Sequence, residues 1–405
     1  MLAPLAFLIA AQSLNPDAVV IVGQSLANGS ASTAVTTAQV GASSVFSANL
    51  SSETKNCGAA GSVNSTGTLE LAPSSASALV ENTGLNTEKP RAALAAYYYG
   101  ATGRSLTPIQ AACGGGSYAQ LKRGQTAFTW LEYLLESYGA RVRLERVIAS
   151  VAIHGEQDRT LGTSTETYKA ALVEWQSDIQ NKVRGVTESG ADVVVPLLIS
   201  QTSSSCTGTP SSLIVAAQYE AFKENSATVI LVQPTYPLTH NADDVHLVAS
   251  SYQIMGAQFG KVVVELSQGR TWLPFYPVAV SMEGAVITVQ MHVPHPPIVR
   301  DTTLVESATA DGFSYTCSSS PPAISSVDCT GECVGSLCSC VITLAGVPGA
   351  SCLSGDSIRY AWPTTSCTDP GPVLGARGNY HDSDTAEWQG SALYNWLVHF
   401  EESVP

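Results

Sequence analysis

A serine set just after a short apolar run, and an aspartate three residues before a histidine, could together perform covalent chemistry on an acyl group. Ser25 follows the run Ala18 to Val22 and the pair Gly23-Gln24. A strand-to-helix turn there would expose the hydroxyl, and a helix beginning at Leu26-Ala27 would aim its first amides at a developing negative charge. Far along the chain comes Asn241-Ala-Asp-Asp-Val-His246. At this spacing the Asp243 carboxylate can accept the Nδ1 proton of His246, which fixes the tautomer and leaves Nε2 to take a serine proton. Asp244 lies too close to the ring to do the same and reads as solvated or as a helix cap. Each feature also has an ordinary reading, Ser25 as a helix cap and His246 as a loop histidine beside an N-cap aspartate. The α/β-hydrolase elbow G-x-S-x-G is excluded, because it would need glycine where Ala27 stands.

The elements that must position these residues follow from the hydrophobic pattern. From Asp17 to about Gly269 apolar strands alternate with amphipathic helices, the signature of an α/β domain with a mainly parallel sheet. Strands are expected at Ala18 to Val22, Val147 to Ile153, Val193 to Ser200 and Thr228 to Gln233. Helices are expected at Gln125 to Tyr138, Thr167 to Arg184, Leu213 to Asn225 and Val248 to Leu266. The Ser/Thr/Gly/Ala-rich segment from about Ala31 to Ser77 reads as a long surface excursion, and three N-x-S/T triplets occur in the chain, at Asn28, Asn49 and Asn64. After Trp272 the pattern becomes short alternating runs broken by proline and glycine, which predicts an all-β sandwich over Pro277 to Trp362. The stretch Trp388 to Phe400 reads as a helix or a final strand that packs back on the body. The expected division is 1–270 for the α/β unit, 271–370 for a Cys-rich sandwich and 371–405 for the returning segment.

Composition narrows the partners. The 405 residues carry 19 Lys and Arg against 33 Asp and Glu, a net charge of -14, and no basic cluster suited to a phosphate backbone. Nucleic acid and anionic membranes are poor partners, and a neutral substrate fits better. Hydrophobic residues make up 44% and charged residues 13%, as in a folded globular chain. No run approaches the roughly 18 apolar residues that span a bilayer. The apolar opening from Met1 to Ala11 is either a signal remnant or the entry to the first strand. Of the 10 cysteines, Cys317, Cys329, Cys333, Cys338, Cys340, Cys352 and Cys367 crowd one apolar-poor stretch. That density points to disulfides and an oxidising compartment, with zinc on Cys333, Cys338 and Cys340 as the lesser alternative. Because the cluster is odd, one cysteine needs a partner elsewhere or stays free. His154-x-Glu156 echoes half of a zinc-deaminase signature, but the P-C-x-x-C half is missing.

Four blocks in order carry a family resemblance: Gly23-Gln24-Ser25, Gly114-Gly-Gly-Ser117, His154-Gly-Glu-Gln-Asp158 and Asp243-x-x-His246. Over roughly its first two thirds the chain resembles SGNH hydrolases, and within them the branch of sialate O-acetylesterases and related carbohydrate acetylesterases. The resemblance implies a three-layer α/β/α domain and a serine esterase that removes acetyl groups from a glycan without metal or organic cofactor. It implies Ser25 as nucleophile, His246 as base and Asp243 as its orienter. The amides of Ser25 and of Gly116 or Gly115, with His154 in place of the branch's glutamine, would form the oxyanion hole. Gln24, Gly115, Glu156 and Asp158 would be supporting residues. Leu26 stands where the family has asparagine, a role Asn28 could take over. The implied setting is extracellular, or a phage or cell-surface particle, with oligomerisation open. The competing reading is a non-catalytic carbohydrate-binding or adhesive protein on the same scaffold, and the runner-up substrate is a simple short-chain ester.

Overall fold

The computed structural model describes residues 17–32, 48–50, 69–71, 87–141, 144, 146–203, 212–318, 320–349, 352, 355–363 and 371–405. The opening Met1 to Ala11, most of the excursion, Asn64 and Cys367 lie outside them. Within the excursion, Ala48–Leu50 and Leu69–Leu71 pair as antiparallel strands.

Five parallel strands form the central sheet: β1 (Asp17–Gly23), β2 (Leu106–Ala112), β3 (Val147–Ile153), β4 (Leu197–Gln201) and β5 (Val229–Pro234). Their order is β2-β1-β3-β4-β5. β1 is apolar at every interior position because both of its faces are covered. Ala18, Val20 and Val22 face one core cluster, whereas Val19 and Ile21 face the other. Helices α1 (Pro90–Thr102) and α5 (Ala249–Ser267) cover the second face through Leu94, Tyr98 and Phe259. On the first face lie α2 (Thr126–Arg141), α3 (Thr165–Thr187) and α4 (Ser212–Asn225), with Leu131, Trp175 and Phe222. The result is the three-layer α/β/α arrangement expected.

Some boundaries differ from the sequence reading. β4 begins at Leu197, after Pro196, and not at Val193, since a proline has no amide for the ladder. α1 and β2 have no counterpart among the expected elements. α1 is buried nearly all round, so it lacks a polar face and a clear period. β2 contains Pro108, which is tolerated because β2 is an edge strand.

After α5 the chain turns to antiparallel sheets. One has the order Ile324–Asp328, Leu337–Leu344, Val286–His292, Tyr276–Glu283, and a second joins Phe313–Thr316, Ser357–Tyr360 and Phe400–Ser403. Ile287, Val289 and Met291 are buried while their neighbours are not, the period-two pattern of a strand with one covered face. Disulfides join Cys317 to Cys352, Cys329 to Cys340 and Cys333 to Cys338, so Cys333, Cys338 and Cys340 are not a zinc set. The returning segment contains no helix. A hairpin pairs Glu387–Trp388 with Ser391–Ala392 around Gln389 and Gly390, both at positive φ. The last strand, Phe400–Ser403, then closes the second sheet. No helix among the described residues is long and apolar enough to cross a membrane.

Candidate active site

In the order β2-β1-β3-β4-β5 the direction of chain progression reverses beside β1, which opens a crevice at the carboxyl ends of β1 and β3. Ser25 and His154 leave the sheet at that edge, together with the glycine loop after β2. Gly23 closes β1 at φ +137, and a Cβ there would sit 2.1 Å from the Ile153 carbonyl oxygen. That carbonyl accepts the Gln24 amide at 3.1 Å, so the close approach of β1 to β3 sets where the serine turn begins.

The segment after Ser25 is not the expected helix. It is a coil of successive turns in which Ala27, Asn28 and Gly29 amides donate to Gln24, Ser25 and Leu26 carbonyls, each at 3.1 Å. Leu26 and Ala27 are buried as anchors. Gly29, at φ +64, lets the coil pass so near Glu88 that a Cβ would lie 1.8 Å from the Glu88 carbonyl oxygen. Asn28 is no floor to the crevice; its Oδ1 accepts from Gln110 Nε2 at 2.8 Å, tying the coil to β2.

His246 Nε2 lies 2.8 Å from Ser25 Oγ, and its Nδ1 lies 2.7 Å from Asp243 Oδ2. The other carboxylate oxygen accepts the backbone amides of His246 and Val245, at 2.9 and 3.1 Å. A carboxylate beside Nδ1 assigns that nitrogen its proton and leaves Nε2 as the acceptor facing the serine hydroxyl. Asp244 does not cap α5, whose N-cap is Val248; it turns the chain at φ +57.

Two residues outside the expected site hold the histidine loop against the serine coil. Asn241 Nδ2 donates to the Ala31 carbonyl at 2.8 Å and to the Leu247 carbonyl at 3.1 Å. Tyr252 Oη donates to the Ser30 carbonyl at 3.1 Å. Asn241 opens the same block as His246, which was the one available signal; Tyr252 offered none.

The expected oxyanion donors fare differently. The Ser25 amide makes no hydrogen bond among the described residues. The Gly116 amide closes a turn onto the Cys113 carbonyl at 3.2 Å, whereas Gly115, at φ +69 on the exposed tip, has an amide with no hydrogen bond among the described residues. The expectation for His154 does not fit its surroundings. Its ring is buried, with Nε2 3.0 Å from the Gly116 carbonyl and Nδ1 2.7 Å from Tyr168 Oη, so neither nitrogen is left for a substrate. Burial lowers its pKa, opposed by Asp158 and the Gly116 carbonyl.

Among the supporting residues, Gln24 Oε1 accepts the Gln157 amide at 3.3 Å. Asp158 Oδ2 accepts the Tyr118 amide at 2.7 Å and Oδ1 accepts from Thr163 Oγ1 at 2.9 Å. Glu156 is buried and faces Arg159, whose pKa burial lowers to about 10 against the pull of that carboxylate.

A carbohydrate acetylesterase from Xanthomonas citri superposes on 96% of this chain and 80% of its own, with a TM-score of 0.58 at 11% identity. At that identity the likeness is one of fold. The superposition takes in the antiparallel sheets as well as the α/β layers. Slighter likenesses are to a carbohydrate acetylesterase family member from Sinorhizobium meliloti, covering 62% of this chain and 98% of that one (TM-score 0.36, 12% identity), and to a family two carbohydrate esterase from Cellvibrio japonicus, covering 63% of each (TM-score 0.34, 10% identity). No family model and no curated protein matches the sequence.

Proposed function

We propose that this chain is a secreted serine esterase that removes O-acetyl groups from a carbohydrate. The observation that carries the reading is the hydrogen-bonded series from Ser25 Oγ through His246 to Asp243. Support for the substrate class comes from the neighbouring structures that are described as carbohydrate acetylesterases, and from a net negative charge that suits a neutral polymer better than an anionic one. The disulfides favour an oxidising compartment.

In this reading Ser25 Oγ attacks the acetyl carbonyl carbon while His246 Nε2 takes the hydroxyl proton. The amides of Ser25 and Gly115 meet the charge that forms on the carbonyl oxygen. His246 then returns the proton to the departing sugar oxygen, which leaves an acetyl-enzyme and a free alcohol. Water, deprotonated by the same imidazole, cleaves the acetyl-enzyme to acetate and restores the Ser25 hydroxyl. Asp243 holds the ring in its tautomer throughout.

The test is hydrolysis of p-nitrophenyl acetate beside p-nitrophenyl octanoate by the parent and by Ser25→Ala. The expected outcome is a strong preference for acetate and a loss of about four to six orders of magnitude in kcat in the variant. A Ser25→Ala protein as active as its parent would overturn the reading.

A further inference from the structure

We propose that His154 is a positioning residue that sets the glycine loop of the oxyanion hole and does not itself touch the substrate. The inference rests on the esterase reading and deepens it. Its starting point is the chemistry of the two ring contacts. A carbonyl oxygen can only accept, so the 3.0 Å contact with Gly116 requires the proton on Nε2. Burial favours the neutral ring, in which Nδ1 is a bare acceptor and the Tyr168 hydroxyl 2.7 Å away donates to it. Asp158 Oδ2 lies 3.5 Å from the same Nε2, so the proton there faces two acceptors. Aromatic neighbours flank the imidazole, Tyr168 lying nearly parallel to it with ring centroids 5.8 Å apart and Trp175 meeting it edge-on at 5.5 Å.

The residues around Gly116 are gripped one after another. His154 holds the Gly116 carbonyl, Gln120 Oε1 accepts the Ser117 amide at 3.0 Å, and Asp158 accepts the Tyr118 amide at 2.7 Å. The Gly116 amide closes its own turn onto Cys113. The Gly116 carbonyl held by His154 and the Gly116 amide closed onto Cys113 together restrain the turn whose tip carries the Gly115 amide. Tyr168 in α3 and His154 after β3 thereby transmit the rigidity of the helix layer to a loop that has little side-chain packing of its own.

Two measurements test this. Steady-state kinetics on p-nitrophenyl acetate should show that His154→Leu loses about a hundredfold in kcat with KM nearly unchanged, the size of effect expected when a reacting group is displaced by an ångström or so. His154→Gln, whose amide can still donate toward Gly116, should recover most of that loss. Equal losses in both variants, or none in His154→Leu, would overturn the proposal.

The second measurement uses the parent protein, so it does not depend on a variant folding. Nitrogen-15 histidine NMR should find His154 protonated on Nε2. A phosphonofluoridate is then added to bond to Ser25 and place a phosphonyl oxygen where the oxyanion forms. The expected result is that the His246 signals shift while the His154 Nε2 proton stays in place. Labelling at Ser25 with a shift of that His154 proton would overturn the positioning role and leave the esterase reading intact. No labelling would remove the esterase reading, and the proposal with it.

Discussion

At the scale of single residues, Asp243 carries more hydrogen bonds than its exposure suggests. Its side chain is 43% exposed, yet it accepts two backbone amides besides the His246 ring. Burial raises its pKa, but the His246 amide, the His246 ring and the Val245 amide outweigh that and hold the carboxyl below its ordinary value. The group therefore stays ionised wherever an imidazole base operates. Asp243→Asn keeps the shape but offers an amide where the ring needs an acceptor, which invites the wrong tautomer. The expected loss is about two to four orders of magnitude in kcat on p-nitrophenyl acetate with KM within about twofold. A KM change without a kcat change would mean that Asp243 shapes the pocket and does not orient the base. The pairing of Asp243 with His246 was legible because they stand three positions apart. The contact between His246 and Ser25, across 221 residues, was readable only through the family resemblance. The bonds of His154 were not readable at all, since they depend on Tyr168 and Gly116 arriving from two other elements.

At the scale of elements, the sequence revealed strands buried on both faces and helices with one polar face. It hid α1 because a helix apolar nearly all round has no period to detect. It also hid one attachment of the returning segment, a lysine on α5. Lys261 Nζ, buried in the apolar helix layer, lies 2.9 Å from Asp384 Oδ2, 2.6 Å from the Leu393 carbonyl and 2.7 Å from Asn395 Oδ1. Burial lowers the pKa of the ammonium, and Asp384 opposes this. Lys261→Met would leave the buried Asp384 charge without its counter-ion, a loss of about 3 to 5 kcal/mol. Lys261→Met with Asp384→Asn should regain part of it, because neither charge then remains to be compensated. Urea unfolding of the single and double variants checks both outcomes, and a double variant weaker than the single would refute the argument.

At the scale of the whole molecule, the α/β layers and the antiparallel sheets share one continuous core, and His399 is placed at their junction. Its backbone exchanges hydrogen bonds with Gln201 at the end of β4, with the Gln201 Nε2 to His399 carbonyl contact at 2.8 Å and the His399 amide to Gln201 Oε1 contact at 2.9 Å. Nδ1 donates to the Ala361 carbonyl, and Nε2 accepts from Ser203 Oγ at 2.6 Å. Burial lowers the ring's pKa to about 4, opposed only by the Ala361 carbonyl. The unfolded ring takes its proton near pH 6.5, so between about pH 6.5 and 4 the unfolded chain binds more protons than the folded one. Above that window the residue adds no pH dependence. As the pH falls through it, stability drops by roughly 3 kcal/mol on account of this ring alone. His240, also held near 4 by burial, acts with the same sign. His399→Gln should therefore flatten the fall in unfolding free energy between pH 6.5 and 4 while leaving the carboxylate contributions at lower pH in place. Parallel slopes for parent and variant across that window would show that the junction opens to water before His399 is protonated.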